Sequence, residues 1–105
     1  EVDEAIDLYD HSLELAPNNV RTLYAKAALL HEGFGQLEEA SAILEIILKL
    51  DPTHPDALFQ LGSLEEDKMN TDSVQKAKEL YQKSLAVDPT HLPALVSLGD
   101  LFAEQ

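Results

Sequence analysis

A chain of 105 residues makes one small domain, and with 45% apolar residues it has a core to bury. Twenty acids against seven bases give a net charge of −13, which argues against nucleic acid and anionic membrane as partners and favours encounter with basic segments. There is no Cys, so disulfides and thiolate metal sites are excluded and the redox compartment is left open.

No apolar stretch is long enough to span a membrane. No basic-then-apolar targeting segment opens the chain, and a cytoplasmic or nuclear location is expected over secretion. A sequence opening on Glu1 rather than Met is expected to be a piece of a longer protein.

The first predicted helix covers 3–15, with Ile6, Tyr9 and Leu13 at helical spacing. Glu1, Asp3, Glu4, Asp7, Asp10 and Glu14 make this end acidic, with no base before Ala16. A solvated helix face accounts for such a run. Pro17 ends the helix, because proline lacks a donor and disfavours helix at the preceding residue. The second helix, 20–32, carries Leu23, Ala27 and Leu30. Gly33 and Gly35 then bracket a turn. The third, 36–49, ends before Pro52. The fourth, 55–67, shows Leu58, Leu61 and Leu64.

The segment from Glu65 to Asp72 is the most unusual. Three acids (Glu65, Glu66, Asp67) end a helix where the macrodipole is already negative. Calcium is a poor fit, because the oxygen ligands fall at 67, 70 and 72 with no central glycine. The segment is either a solvated loop or a contact for a basic partner. Thr71 or Asp72 is placed to cap the fifth helix, 72–86, with Gln75 completing a capping box behind Asp72. Pro89 ends that helix. The sixth, 92–104, has an apolar stripe of Leu95, Leu98, Leu101 and Phe102.

The six helices fall into two repeating kinds. DEAIDLYDHSLELAPNN from Asp3, EEASAILEIILKLDPTH from Glu38 and QKAKELYQKSLAVDPTH from Gln75 align. They share Ala5, Ala40 and Ala77, then Tyr9, Leu44 and Tyr81, then Pro17, Pro52 and Pro89, which recur at 35 and 37 residues. VRTLYAKAALL, PDALFQLGSLE and LPALVSLGDLF align around Leu23, Leu58 and Leu95 and around Ala27, Gly62 and Gly99.

A period near 34 with two helices per unit, and the order large–Leu–Gly, Ala, aromatic, Pro, resembles the tetratricopeptide repeat family. The resemblance covers essentially the whole chain. It implies an all-α, right-handed α-solenoid of six helices in antiparallel pairs. By this register 1–19 is the second helix of a cut repeat, 20–54 and 55–91 are full repeats, and 92–105 is the first helix of another. Ala27, Gly62 and Gly99 should face Ala40 and Ala77, where helices approach closely. Lys26 stands where the family prefers Leu, Glu65 where it prefers an aromatic, and Ile47 where it prefers a small residue. The turns after Leu30 and Glu65 are longer than usual.

Catalytic constellations are absent. Gly33 and Gly35 lack the Lys-Ser/Thr of a phosphate loop, and no Ser has a His–Asp arrangement to activate it. His54 and His91 are turn residues repeated one unit apart, too far to share a metal. His11 and His31 have no partner at helical spacing that completes a site. An enzyme is therefore not expected, nor a metal or cofactor.

The family's first helices line a concave groove. The resemblance places Arg21, Tyr24, Ala28 and His31 in it, then Asp56, Phe59, Ser63 and Glu66, then Val96 and Asp100. Tyr24 and Phe59 are either exposed aromatic anchors or tucked against neighbouring helices. One family branch clamps the carboxylates of chaperone tails with Lys, Asn and Arg, and that set is missing here. Asp56, Ser63 and Asp100 stand in its place.

The expected function is a protein-interaction scaffold that binds a basic or neutral protein or peptide segment. The alternatives are a structural or oligomerisation module, self-associating through the final helix, and a regulatory domain attached to an enzyme elsewhere in a longer protein.

Overall fold

The computed structural model describes residues 2–68 and 70–104, with the side chains of Val2 and Asp3 left aside. Six α-helices follow one another: α1 Val2–Leu15, α2 Val20–Glu32, α3 Leu37–Leu50, α4 Pro55–Glu66, α5 Thr71–Val87 and α6 Leu92–Ala103. No strand occurs among the described residues, and each helix lies within two residues of its predicted span. The chain forms two compact units, one running to Pro52 and the other starting at Thr53.

In the first unit α2 packs against both α1 and α3. The connections, 16–19 and 33–36, are short, so successive helices run antiparallel. Leu23, Ala27 and Leu30 of α2 are buried, as are Ala40, Ile43, Leu44 and Ile47 of α3. Lys26 shows how an apolar position holds a cation. Its side chain is 17% exposed and its Nζ reaches Asp10 of α1 at 2.7 Å and Glu39 of α3 at 4.0 Å. The long turn after α2 is closed by Gly35, whose φ of +66° is costly for any residue with a Cβ.

In the second unit α5 packs against both α4 and α6. Ala77, Tyr81 and Leu101 form its buried cluster, and Phe59, Val74 and Leu98 pack around it. Gly62 is buried in α4, where a Cβ would meet the Tyr81 ring. The small-residue register therefore holds at Gly62, with Tyr81 as the immediate neighbour. At Gly99 it fails. That residue is exposed, and a Cβ there would have nothing within 4 Å. The buried Ser84 of α5 donates its hydroxyl to the Pro55 carbonyl at 2.9 Å, whereas the matching Ile47 is simply buried.

The helix starts follow one rule. Asn19, His54 and His91 stand at the same repeat position, and each accepts a backbone N–H three residues on, from Thr22, Ala57 and Ala94. His54 and His91 do so through Nδ1. Asn70 caps α5 by accepting from Ser73 N at 2.8 Å. This corrects the expected cap at Thr71 or Asp72. Asn70 is the residue in extended backbone, and both expected residues already lie inside the helix.

Candidate functional site

The ten candidate residues fall on three helices. Arg21, Tyr24, Ala28 and His31 share one face of α2, because steps of three and four keep residues together on a helix. Arg21 is exposed and the other three are half-buried. Asp56, Phe59, Ser63 and Glu66 follow the same spacing on α4. There Asp56 is exposed and the rest are half-buried. Val96 and Asp100 are exposed on α6.

The α4 face is built with support from behind. At its N-terminal end, Asp56 Oδ1 lies 2.7 Å from His91 Nε2. His91 Nδ1 is already the acceptor for Ala94 N–H at 3.2 Å, so the proton sits on Nε2 and is donated to Asp56. The His91 ring is only 8% exposed. It is delivered by a turn in which Thr90 donates both its N–H and its hydroxyl to Asp88. Those two bonds hold the Asp88 carboxyl below its usual range.

At the C-terminal end of α4, Tyr81 donates its hydroxyl to Glu66 Oε1 at 2.6 Å. Burial, and then the bond to the Glu66 carboxylate, push the Tyr81 phenol far above its ordinary range. Phe59 lies between the two ends, its ring centroid 5.6 Å from that of Tyr81 and 5.4 Å from that of His91. Of the two expectations for Phe59, packing against neighbours is the one observed, with part of the ring still accessible.

The acids that close α4 have separate roles. Glu66 receives Tyr81, while Glu65 Oε1 pairs with Lys68 at 3.2 Å and its Oε2 is buried without a partner. Met69, within the same unusual segment, lies outside the described residues, as do Glu1 and the Asp3 side chain of the acidic first run. On α6, Leu92, Leu95, Val96 and Phe102 are exposed. Leu101 is buried at 4% exposure, so it drops out of the apolar stripe expected on that helix. Lys78 of α5 places its Nζ 5.1 Å from the centre of the Phe102 ring.

Sequence reasoning missed His91 and Tyr81 as partners of the α4 acids. A signal for His91 was present, since it and His54 occupy the position of Asn19, an ordinary N-cap residue. Among the described residues, no group of three or more His, Cys, Asp or Glu is arranged to hold a metal ion, and no helix is long and apolar enough to cross a membrane.

The tetratricopeptide repeat family model matches residues 1–64. The chain belongs to the tetratricopeptide repeat family. No curated protein matches it. Solved tetratricopeptide repeat structures match its fold over nearly its full length. The Sgt2 domain from Aspergillus fumigatus is 28% identical, with a TM-score of 0.83 over 99% of this chain and 68% of that one. YrrB, a tetratricopeptide repeat protein described as having an unusual peptide-binding site, is 25% identical, with a TM-score of 0.79 over 91% of this chain. This chain spans 47% of YrrB. The first such domain of Spaghetti (RPAP3), bound to the HSP90 peptide SRMEEVD, is 19% identical, with a TM-score of 0.83 over 98% of this chain and 79% of that one, a likeness of fold alone.

Proposed function

We propose that this chain is a non-catalytic protein-interaction module that binds a basic or neutral protein segment on the face of α4 carrying Asp56, Phe59, Ser63 and Glu66. The observation that carries the reading is that face itself: an accessible aromatic edge between two carboxylates, with no Lys or Arg among its four residues. Asp100 and Val96 on α6, and Arg21, Tyr24, Ala28 and His31 on α2, extend the reading by repeat register. The peptide-binding site described for YrrB and the HSP90 peptide bound to the Spaghetti domain support interaction as the task of the fold. The charge of −13 biases encounter toward cations.

The test is calorimetric titration with three peptides of equal length, basic, neutral and acidic, using SRMEEVD as the acidic one. Basic or neutral peptides should bind, added salt should weaken binding moderately, and Phe59→Ala should weaken it more. Preferential capture of SRMEEVD would overturn the non-acidic reading.

A second reading is self-association through α6, favoured by the exposed Leu92, Leu95, Val96 and Phe102. Sedimentation equilibrium should then show mass rising with concentration. A strict monomer would refute it.

A further inference from the structure

We infer that Asp56 and Glu66 act together as a two-point ruler for cationic side chains on a partner segment, with His91 and Tyr81 as the positioning residues that set it. The inference rests on the α4 face being the binding face and goes beyond it by naming the spacing that is read.

Asp56 and Glu66 stand ten positions apart on one face of α4. At about 1.5 Å of rise per residue this separates them by about 15 Å. Each carboxylate has one oxygen fixed by a buried donor: Asp56 Oδ1 by His91, 8% exposed, and Glu66 Oε1 by Tyr81, 1% exposed. Both donors pack on the Phe59 ring, so one aromatic group braces the two ends. The remaining oxygens, Asp56 Oδ2 and Glu66 Oε2, accept no hydrogen bond from the described residues.

Among the described residues, neither acid is paired with a Lys or Arg. The nearby cations are engaged elsewhere, Lys68 with Glu65 and Lys78 over Phe102. The acids therefore present fixed, unneutralised oxygens, and a partner meets less of the ordering cost that flexible side chains impose.

The separation selects the ligand class. One metal ion requires ligands within about 2.0–2.6 Å, so acids about 15 Å apart cannot share one. Two ammonium or guanidinium groups on one polypeptide can satisfy both. An extended strand advances about 3.3 Å per residue and sends alternate side chains to the same side. Basic residues at i and i+4 then stand about 13 Å apart on one side, and their long stems close the difference. The residue at i+2 faces Phe59 and Ser63.

The test is fluorescence anisotropy with labelled Ser-rich peptides carrying two Arg at i+2, i+3, i+4 or i+6, and with a single-Arg peptide. The i+4 peptide should bind about three- to tenfold more tightly than the other spacings. Asp56→Asn or Glu66→Gln should each erase that preference, bringing the i+4 peptide down to the affinity of the single-Arg peptide for the same variant. His91→Asn keeps an N-cap acceptor for Ala94 but cannot span to Asp56. Tyr81→Phe removes only the hydroxyl. Each should halve the preference or more when compared with the parent at a temperature where both are fully helical, a loss that lowered stability alone would not give.

A flat spacing profile, or an i+4 preference unchanged in Asp56→Asn and Glu66→Gln, overturns the ruler. If all spacings bind equally and Phe59→Ala removes them, the ruler fails while the interaction reading stands. If no basic or neutral peptide binds, both fail. If only the His91 and Tyr81 variants keep the full preference, their positioning role is refuted.

Discussion

A Cβ at Gly62 would stand 2.7 Å from Cε1 and 2.9 Å from Cδ1 of Tyr81. That ring has little room to yield, since it is buried and its hydroxyl is held by Glu66. Gly62→Leu, and Ala77→Leu on the facing helix, should each cost about 1–3 kcal/mol through overpacking, read from urea midpoints at unchanged slope. Gly99→Ala should cost nothing and gain slightly from helix propensity, because its Cβ meets no neighbour. Lys26 offers the opposite case. Its ion pairs reach carboxylates that are about half exposed, so those acids stay solvated if the amine is lost. Lys26→Leu should therefore change stability by less than about 1 kcal/mol in either direction, and a loss of several kcal/mol would show the bridge to be essential. The sequence identified these positions as small or out of pattern. It did not identify their neighbours, because helix crossing geometry decides whether Gly62 meets Ala77 or the Tyr81 ring.

The helices were legible where proline and apolar spacing mark them, and less so where a cap depends on backbone conformation. Pro17, Pro52 and Pro89 each lie two residues past an observed helix end. The start of α5 was misread by one or two residues, since Asn70 leaves the helix in extended backbone (φ −118°, ψ 165°) and so meets the cap requirement first. The His caps were overlooked because imidazole is a less common N-cap acceptor than Asn, Ser or Asp. Replacing His54 by Ala should cost about 1 kcal/mol, and Asn at that position should restore most of it. His91→Ala should cost more than the loss of a cap alone, because the same ring also holds Asp56 and packs on Phe59. Thermal denaturation of the three single variants would check these costs.

For the whole molecule, the threefold recurrence was enough to give the all-α class, six helices and the family. The family model's match stops at residue 64, immediately before Glu65–Asp72, where acids at a helix end depart from the regular repeat. The side-chain pairs behind the α4 face were not legible, because they join residues 15 and 35 positions apart. Net charge is felt at this scale. A surplus of thirteen negative charges repels itself in the folded state, so the melting temperature should rise as sodium chloride is raised toward about 0.5 M and screening shortens the range of that repulsion. A fall would mean that the internal ion pairs dominate.

Tyr81 also makes the second unit optically visible. The chain has three Tyr and no Trp, so tyrosine emission is not masked by indole, and a phenol bonded to a carboxylate is quenched. Emission should therefore brighten when α4, α5 and α6 separate. The same phenol sets an alkaline limit. Its folded-state pKa lies above the unfolded value of about 10, so its contribution to stability is complete below about pH 10 and is lost as pH rises further. Phenolate absorbance followed against pH should show one tyrosine ionising late, in step with the loss of helical circular dichroism. In Tyr81→Phe that late step should disappear.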